Sequence, residues 1–396
     1  MKALLLENIH PDAEKVLRNA GFEVETRLGS LSESDLLEAL QGVTVLGIRS
    51  NTKVTAEVLQ HAPESLVAVG AFCIGTNQID LDAAAKKGVA VFNAPFSNTR
   101  SVVELVMAEI VVLARHLTDK NALMHKGIWD KSATGSHEVR GRKLGIVGYG
   151  NIGSQLSILA EAFGMQVYFY DIVDKLALGN AKRLDTLEEL LDTCETISLH
   201  IDGRPSNEGF FSAEKFARMR PRALFLNLSR GNVIDQAALA ENLRSGHLAG
   251  AAVDVYPSEP KTAGDAFVSE LQGIPNVILT PHVGGSTLEA QIDIGRFVAH
   301  KLDDFVRHGS TVMSVNLPEV AAPEVVGRRI INLHANVPGV MARLNQLFAE
   351  RGTNITYQAL STRGDVGFVV TDVSNGVQSV LEEMQKMPET IKAWAI

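Results

Sequence analysis

The chain has 396 residues, which predicts two or three domains, and its 45% hydrophobic content is that of a globular protein with an ample core. A net charge of -9 and the lack of a basic run argue against a nucleic-acid surface. No apolar stretch approaches a membrane span, and Met1 and Lys2 lead into a predicted strand, not a signal peptide. Cys73 and Cys194 lie in or beside apolar runs, which predicts reduced thiols and a cytoplasmic location.

Residues 1–97 read as a small α/β unit in which apolar runs alternate with helical patterns, so its strands should be parallel. The predicted strands are Ala3–Leu6, Thr44–Ile48, Leu66–Ala71 and Val89–Phe92, and the predicted helices are Pro11–Ala20, Glu33–Leu40 and Leu81–Lys87. Three of these strands run into polar or glycine-bearing loops, which begin near Arg49, Cys73 and Asn93. Ligands of open α/β sheets bind beyond the carboxyl ends of strands, so these loops are predicted to form one wall of a cleft.

A long apolar helix is predicted from Thr99 to Leu117, after a capping sequence at Ser97 and Asn98. The next stretch, Asn121 to Arg140, has weak periodicity and is predicted to be extended or a loop. It contains Trp129, which fits either an interface or the core.

The segment from Lys143 to Asp171 has the order strand, glycine turn, helix, strand and acid of a dinucleotide-binding site. Gly148 permits the tight turn, Gly150 lets the backbone approach a pyrophosphate, and Gly153 lets the helix sit close to the strand. The helix N-terminus supplies free N–H groups and the positive end of its dipole. Asp171 is placed to bind the adenosine ribose and to repel a 2′-phosphate, which favours NAD over NADP as the cofactor.

Three later strands of the same unit also end in polar residues, and they supply Arg230, Glu259 and His282. His282 has a suitable intrinsic pKa to accept the hydroxyl proton of a 2-hydroxy acid while hydride leaves C2. Glu259 could hold the second imidazole nitrogen, and Arg230 could grip the carboxylate in a bidentate fork. Taken singly, each could instead be a surface charge, a solvated loop residue or a packed histidine. We predict no metal site.

A helix predicted at Ser286–Phe305 returns the chain to the first unit, and residues 318–326 resemble a linker. The remaining residues, 327–396, have the order βαββαβ, which predicts a ferredoxin-like domain. Its predicted elements are Arg329–Leu333, Gly339–Arg351, Asn354–Leu360, Gly367–Val373, Val377–Met387 and Ile391–Ala395. No catalytic set lies within it, so binding or regulation is favoured.

Five stretches together are far more specific than the glycine turn: residues 72–78, 93–102, 148–153, 229–231 and 280–287. With them the chain resembles the D-isomer-specific 2-hydroxyacid dehydrogenase family over essentially its whole length. Within that family it is similar to the phosphoglycerate dehydrogenases that carry a C-terminal ACT domain. The resemblance implies NAD-dependent oxidation of 3-phospho-D-glycerate to 3-phosphohydroxypyruvate, the first step of L-serine biosynthesis, inhibited by serine. It also allows a side reduction of 2-oxoglutarate.

The implied fold class is α/β, with two doubly wound parallel-sheet domains, flavodoxin-like and Rossmann, and a ferredoxin-like ACT domain. The implied domains are a substrate-binding domain (1–97 with 286–317), an NAD-binding domain (98–285), a linker (318–326) and a regulatory domain (327–396). The family is a homotetramer whose ACT domains pair and bind L-serine at their junction.

The resemblance also implies roles for individual residues, with Arg230, Glu259 and His282 as the catalytic set. The cofactor contacts would be Gly148, Gly150, Asn151, Ile152, Gly153, Asp171, Leu228, Ser229, Asp254, Gly284 and Gly285. The substrate contacts would be Arg49, Ser50, Gly75 and Asn98, with Lys131 from a neighbouring subunit beside Trp129. The serine contacts would be His334, Asn336 and Asn354.

The chain departs from the family pattern at several positions. Leu28 and Asn51 stand where close relatives have a lysine and an arginine, which bears on phosphate affinity. The strand end at His200–Gly203 lacks the proline expected on the adenine side. Val337 stands where an arginine often precedes the effector loop, so serine inhibition is expected to be weaker than usual. None of these positions affects the hydride chemistry.

Two alternatives stay open. One is another D-2-hydroxyacid dehydrogenase, acting on glycerate, lactate or 2-hydroxyglutarate; the C-terminal domain argues against it and the reduced number of cations argues for it. The other is an NAD-sensing binding protein in which turnover is incidental, and the intact catalytic set argues against that reading.

Overall fold

The structure is a computed structural model that describes residues 1–260, 264–325 and 327–396. The chain divides into two compact units, one made of residues 1–97 and 291–396 and the other of residues 98–290. Residue 326, the last of the predicted linker, lies outside the described residues. None of the helices in the described ranges is long and apolar enough to cross a membrane.

The first unit begins with a five-stranded parallel sheet in the order β2-β1-β3-β4-β5, which is the flavodoxin-like arrangement. Its strands are β1 (Lys2–Leu5), β2 (Glu23–Thr26), β3 (Val45–Ile48), β4 (Ala68–Ala71) and β5 (Ala90–Phe92). Its helices are α1 (Pro11–Asn19), α2 (Glu33–Ala39), α3 (Ala56–His61) and α4 (Leu81–Lys87). The sequence predicted every one of these elements except β2 and α3.

The second unit contains a seven-stranded parallel sheet in the order β12-β11-β10-β9-β6-β7-β8. Its strands are β6 (Lys143–Val147), β7 (Gln166–Tyr170), β8 (Lys182–Arg183), β9 (Thr196–Leu199), β10 (Ala223–Asn227), β11 (Leu248–Val253) and β12 (Val277–Leu279). Its α-helices are α5 (Thr99–Ala114), α6 (Leu117–His125), α7 (Asn151–Ala162), α8 (Leu187–Thr193), α9 (Ala213–Arg218) and α10 (Gln236–Arg244). The order reverses beside β6, as in a Rossmann sheet, so a ligand is expected at the carboxyl end of β6.

Helix α6 corrects the expectation that Asn121–Arg140 is extended or a loop, because its second half occupies the start of that stretch. None of its residues is buried, and Trp129, just beyond it, is 77% exposed. A helix that buries no face shows no apolar periodicity, which is why its sequence does not reveal it.

After α11 (Leu288–His308), the chain forms a four-stranded antiparallel sheet in the order β14-β15-β13-β16. Its elements are β13 (Arg328–Ala335), α12 (Val340–Glu350), β14 (Ile355–Arg363), β15 (Val366–Val373), α13 (Val377–Lys386) and β16 (Thr390–Ala395). This is the βαββαβ ferredoxin-like fold, and it confirms the predicted fold class of two parallel-sheet domains and an ACT-like domain.

The antiparallel sheet shares a core with the flavodoxin-like part of the same unit. Phe305 of α11 packs between Phe92 and Trp394, with ring centroids 5.9 Å apart in each pair. Arg329 is fully buried and makes two bonds, of 2.6 and 2.7 Å, to the Asp372 carboxylate. Its Nη1 donates to the carbonyl oxygens of residues 308 and 323, so each nitrogen of the buried guanidinium is hydrogen-bonded.

Candidate active site

The glycine turn between β6 and α7 has the geometry of a phosphate cradle. Gly148 has φ +91°, and a Cβ at Gly148 would collide with the carbonyl of His200. A Cβ at Gly153 would collide with the carbonyl of Gly148, whereas Gly150 faces open space. Since α7 begins at Asn151, the N–H groups of its first turn have no acceptor within the helix. The turn therefore fits a pyrophosphate group approaching Gly150 and the first turn of α7.

Asp171 follows β7 and lines the same cavity as the glycine turn, a space of about 350 Å³. Its carboxylate accepts the backbone N–H of Tyr149 at 2.7 Å and that of Val173 at 2.9 Å. The acid therefore fixes the turn as well as facing the cavity. Its two oxygens retain further lone pairs, so the position fits an adenosine ribose.

Two cations of this cavity were given no role from the sequence. Lys175 and Arg204 line it together with Asp171, and the Arg204 guanidinium is paired with Asp202, with one contact at 2.6 Å. The loop after the neighbouring strand β9 was the signal that could have found Arg204.

His282 and Glu259 lie together although 23 residues separate them. The Nδ1 atom of His282 is 2.8 Å from Oε2 of Glu259, and Oε1 of Glu259 accepts the N–H of Tyr256 at 3.0 Å. The bond from Glu259 raises the pKa of His282 above its ordinary value against the opposing effect of burial. Burial acts to raise the pKa of Glu259, but its bonds to His282 and Tyr256 outweigh this and leave that pKa lowered.

Arg230 lies close enough to this pair for its positive charge to lower the pKa of both Glu259 and His282. It is exposed, and its Nη1 donates to the carbonyl of Ser229 at 2.6 Å. A Cβ at Gly231 would collide with the backbone of Tyr256, so this glycine lets the two strand-end loops meet. The three predicted catalytic side chains are thus brought together at one edge of the sheet.

Asp254 is buried and organises the loop that carries His282. Its Oδ1 accepts the Thr280 hydroxyl at 2.6 Å and the Val283 N–H at 2.8 Å, and its Oδ2 accepts the Gly284 N–H at 2.8 Å. The carbonyl of Asp254 accepts the N–H of His282 itself, at 2.8 Å. His282 has φ +56°, a conformation that these bonds hold in place.

The other predicted cofactor residues of this unit also lie at strand ends. Leu228 and Ser229 follow β10 and are buried, and the Ser229 hydroxyl donates to Oδ1 of Asn227 at 2.7 Å. Gly285 lies against Asn98, because a Cβ there would collide with the amide of Asn98. Glycine is thus required where the predicted substrate residue meets the histidine loop.

The remaining predicted substrate residues lie on loops. In the first unit, Arg49 and Ser50 follow β3 directly, and Gly75 lies four residues beyond β4. In the second unit, Lys131 is exposed in the stretch that contains Trp129.

The predicted effector residues differ in exposure. His334 is buried, its Nδ1 lies 2.9 Å from Oδ1 of Asn332, and burial lowers its pKa. Asn336 is exposed and donates to the carbonyl of Gly364 at 3.0 Å, and Asn354 is exposed. Asn336 and Asn354 are therefore open to a ligand, while the His334 side chain is not exposed.

A further buried acid lies near Asp254 and was not found from the sequence. Glu109, on the apolar helix α5, is 3% exposed, and neither carboxyl oxygen has a hydrogen-bond partner among the described residues. Burial, reinforced by the charge of Asp254, raises the pKa of Glu109 to about 8. The group is therefore mostly protonated at neutral pH.

Comparison with known proteins gives matches to two family descriptions and to full-length relatives. "D-isomer specific 2-hydroxyacid dehydrogenase, NAD binding domain" matches residues 107–284, and "AHAS small subunit-like ACT domain" matches residues 330–392. The D-3-phosphoglycerate dehydrogenase of Haemophilus influenzae is 49% identical over 396 residues, covering 99% of this chain and 96% of that protein. D-3-phosphoglycerate dehydrogenase 1 of Saccharomyces cerevisiae is 45% identical, covering 97% of this chain and 84% of that protein.

Among solved structures, the D-lactate dehydrogenase of Aquifex aeolicus complexed with NAD and lactic acid is similar, with a TM-score of 0.65 and 25% identity. The likeness covers 77% of this chain and 95% of that one.

Proposed function

Because the chain belongs to the D-isomer-specific 2-hydroxyacid dehydrogenase family, we propose that it oxidises 3-phospho-D-glycerate to 3-phosphohydroxypyruvate, opening L-serine biosynthesis. The observation that carries the reaction class is the 2.8 Å contact between His282 and Glu259 beside Arg230. The near-full-length similarity to D-3-phosphoglycerate dehydrogenases supports the choice of substrate.

His282 acts as the base in this proposal. Its Nδ1 is engaged by Glu259, so Nε2 is the nitrogen left to accept the hydroxyl proton of the substrate. The carboxylate of Glu259 stabilises the imidazolium that results. In the reverse direction the same Nε2–H protonates the C2 oxygen.

Arg230 holds the substrate carboxylate. A guanidinium offers paired N–H groups in one plane, which match the two carboxylate oxygens and orient C2. Its positive charge also favours the neutral form of His282, which is the form that a base requires.

When bound, NAD, the cofactor of this family, would supply the acceptor for the hydride that leaves C2. The turn at Gly148, Gly150 and Gly153, with Asn151 and Ile152, would hold its pyrophosphate, and Asp171 would hold the adenosine ribose. Leu228, Ser229, Asp254, Gly284 and Gly285 would contact its nicotinamide half. The open space at Gly150 and the cavity beside Asp171 support this assignment.

We assign the remaining anionic and polar groups of the substrate to Arg49, Ser50, Gly75 and Asn98, with Lys131 supplied by a neighbouring subunit. The exposure of Lys131 and of the adjacent Trp129 supports a role for that stretch at a subunit contact. Leu28 is 82% exposed and offers no charge to a phosphate, which is consistent with modest phosphate affinity.

The finer partners belong to the same proposal: a homotetramer with paired ACT domains, and L-serine bound at their junction through His334, Asn336 and Asn354. The match of residues 330–392 to an ACT description supports a regulatory role. Both cysteines are free thiols, which supports a cytoplasmic location.

A substrate panel tests the proposal. Wild type and His282→Ala are assayed with NAD and 3-phosphoglycerate, glycerate, lactate and 2-hydroxyglutarate, and in reverse with 2-oxoglutarate. We expect the highest kcat/KM on phosphoglycerate and its loss in the variant. A preference for another acid would reassign the substrate, and NADH binding without any turnover would favour the NAD-sensing alternative.

A further inference from the structure

Glu7 follows β1 and holds a loop of another strand through its side chain. It is 7% exposed, and its carboxylate accepts three backbone N–H groups. The donors are Arg49 at 3.2 Å and Thr52 at 2.8 Å, both to Oε1, and Asn51 at 2.9 Å, to Oε2. Three N–H groups within four residues form an anion-binding concavity, which is filled here by an internal carboxylate.

The backbone at Glu7 is in a conformation that glycine adopts more readily. Its φ is +63°, and the next residue, Asn8, has φ +53°. Left-handed conformation disfavours a residue with a Cβ, and such residues persist where the surroundings fix them. The three N–H bonds from the segment Arg49–Thr52 provide that fixation, and the side chain is what makes them.

Gln78 holds the same segment through the backbone carbonyl of Arg49. It is buried, and its Nε2 donates to the carbonyl of Arg49 at 2.6 Å and to that of Gly75 at 3.3 Å. Arg49 is therefore held at its N–H by Glu7 and at its carbonyl by Gln78. Gln78 also ties this loop to the loop that carries Gly75.

We propose that Glu7, assisted by Gln78, is a positioning residue that fixes the Arg49–Thr52 segment for binding the anionic groups of the substrate. This inference rests on the proposed function, in which Arg49 and Ser50 contact the substrate. Because the N–H and the carbonyl of Arg49 are both hydrogen-bonded, the backbone from which its side chain extends is fixed. The entropy of ordering the loop is then lost on folding rather than on substrate binding.

A carboxylate suits this role better than an amide. Both of its oxygens accept, so it satisfies donors at Oε1 and at Oε2 together. In Glu7→Gln one of these positions becomes an NH₂ group that faces an N–H donor, so at least one bond is lost. Glu7→Gly removes the carboxylate but tolerates the positive φ at this position, so it serves as a second variant in which backbone strain does not contribute to any loss of activity.

The first measurement is amide hydrogen exchange, which needs no substrate. In wild type the N–H groups of Asn51 and Thr52 should be protected, and in Glu7→Gln and Glu7→Gly their exchange should speed up by about tenfold or more. Glu23→Gln is the matched control, since Glu23 is an exposed acid on the edge strand β2. Unchanged exchange in both Glu7 variants would overturn the inference.

The second measurement is steady-state kinetics with the full-length enzyme and the acid that wild type prefers in the panel. In both Glu7 variants and in Gln78→Met we expect KM for that acid to rise about tenfold, with kcat within about twofold and unchanged NADH affinity. Glu23→Gln should match wild type. Faster exchange with an unchanged KM would make Glu7 a fold-stabilising residue only and would overturn the positioning role.

The two proposals fail in different ways. If wild type turns over the acid and the Glu7 variants have the same KM as wild type, the role of Glu7 is overturned and the proposed function stands. Wild type that turns over no 2-hydroxy acid overturns the proposed function and with it the substrate role of Glu7, while exchange would still report whether Glu7 holds the segment.

Discussion

The imidazole of His282 and the carboxylate of Glu259 form a 2.8 Å contact that joins the ends of two neighbouring strands, β11 and β12. The contact raises the pKa of His282 and fixes which ring nitrogen remains for chemistry. Because the chemistry depends on the protonation of His282, the turnover rate should depend on pH in a direction that follows from this raised pKa.

Glu259→Gln should move the pH profile of both reaction directions toward lower pH. Oxidation requires neutral His282, so its rate rises as the pH passes the pKa of His282, and reduction requires the protonated ring and falls there. Removing the carboxylate lowers that pKa, so both limbs shift down. The measurement is kcat/KM against pH in each direction. Glu214→Gln, an exposed acid of the same unit, is the control, and limbs identical to wild type would rule out the pairing.

Arg230→Lys should lower kcat/KM for the 2-hydroxy acid by about tenfold or more, because a point charge replaces a planar fork. NADH affinity and the melting temperature should stay close to wild type, since Arg230 is exposed. Steady-state kinetics and thermal unfolding check both statements. Arg244→Lys is the matched control, and wild-type kinetics for Arg230→Lys would show that the fork is not used.

Asp171→Ala should weaken NADH binding and improve the relative use of NADPH. The carboxylate that repels a 2′-phosphate is gone, while Arg204 and Lys175 line the same cavity. Asp171→Ala combined with Arg204→Ala should lose most of the gain with NADPH. The measurement is the NADPH/NADH ratio of kcat/KM in wild type and both variants. An unchanged ratio in Asp171→Ala would contradict the assignment of Asp171 to the adenosine ribose.

Glu109→Gln should flatten the dependence of stability on pH. The pKa of Glu109 rises from 4.5 to about 8 on folding, so below 4.5 the acid is protonated in both states and its ionisation does not change the stability. As the pH rises from 4.5 to about 8 the folded protein retains a proton that the unfolded chain releases, and stability is lost. At pH 8 we expect Glu109→Gln to unfold at a free energy higher by roughly 1–3 kcal/mol, measured by denaturant titration.

The gain from Glu109→Gln should disappear near pH 4.5. Glu104→Gln, on the same helix and exposed, should keep the wild-type slope. An equal gain at both pH values would mean that packing, not charge, is responsible.

Short apolar runs, glycine spacing and the polar residues after each strand carried most of the fold prediction. Those signals are local: β10 and β11, which precede Arg230 and Glu259, are apolar and largely buried, and β12, which precedes His282, is apolar and partly buried. Strand β2 was missed because it is an edge strand with only Val24 buried, and its composition resembles a loop. Helix α3 was missed because it is six residues long.

The contacts that position the candidate site could not be read from the sequence, because they join residues far apart in the chain. Glu7 meets the N–H of Thr52 across 45 positions, and Asp254 meets Gly284 across 30. A buried acid on an apolar helix, such as Glu109, looks from the sequence like one polar residue on an exposed face. Only the packing of α5 decides between these readings.

The final prediction concerns control by the end product. Asn336 is exposed after β13, with its side chain bonded to the carbonyl of Gly364, and Asn354 is exposed directly before β14. Both amides are accessible from solvent, as contact with the polar groups of an amino acid requires. His334, two residues before Asn336, is buried against Gly367.

We expect L-serine to lower turnover of the wild-type enzyme, more weakly than in relatives that have an arginine at the position of Val337. Asn336→Ala and Asn354→Ala should each abolish the inhibition without changing the uninhibited rate, because neither side chain belongs to the proposed catalytic set. Gln378→Ala, which changes an exposed amide on α13 that donates to Glu382, is the matched control and should keep the wild-type response. The measurement is a serine titration of all four proteins at fixed substrate and NAD. If millimolar serine leaves the turnover of wild type unchanged, the ACT-like domain would serve only as a subunit contact, and the dehydrogenase assignment would stand.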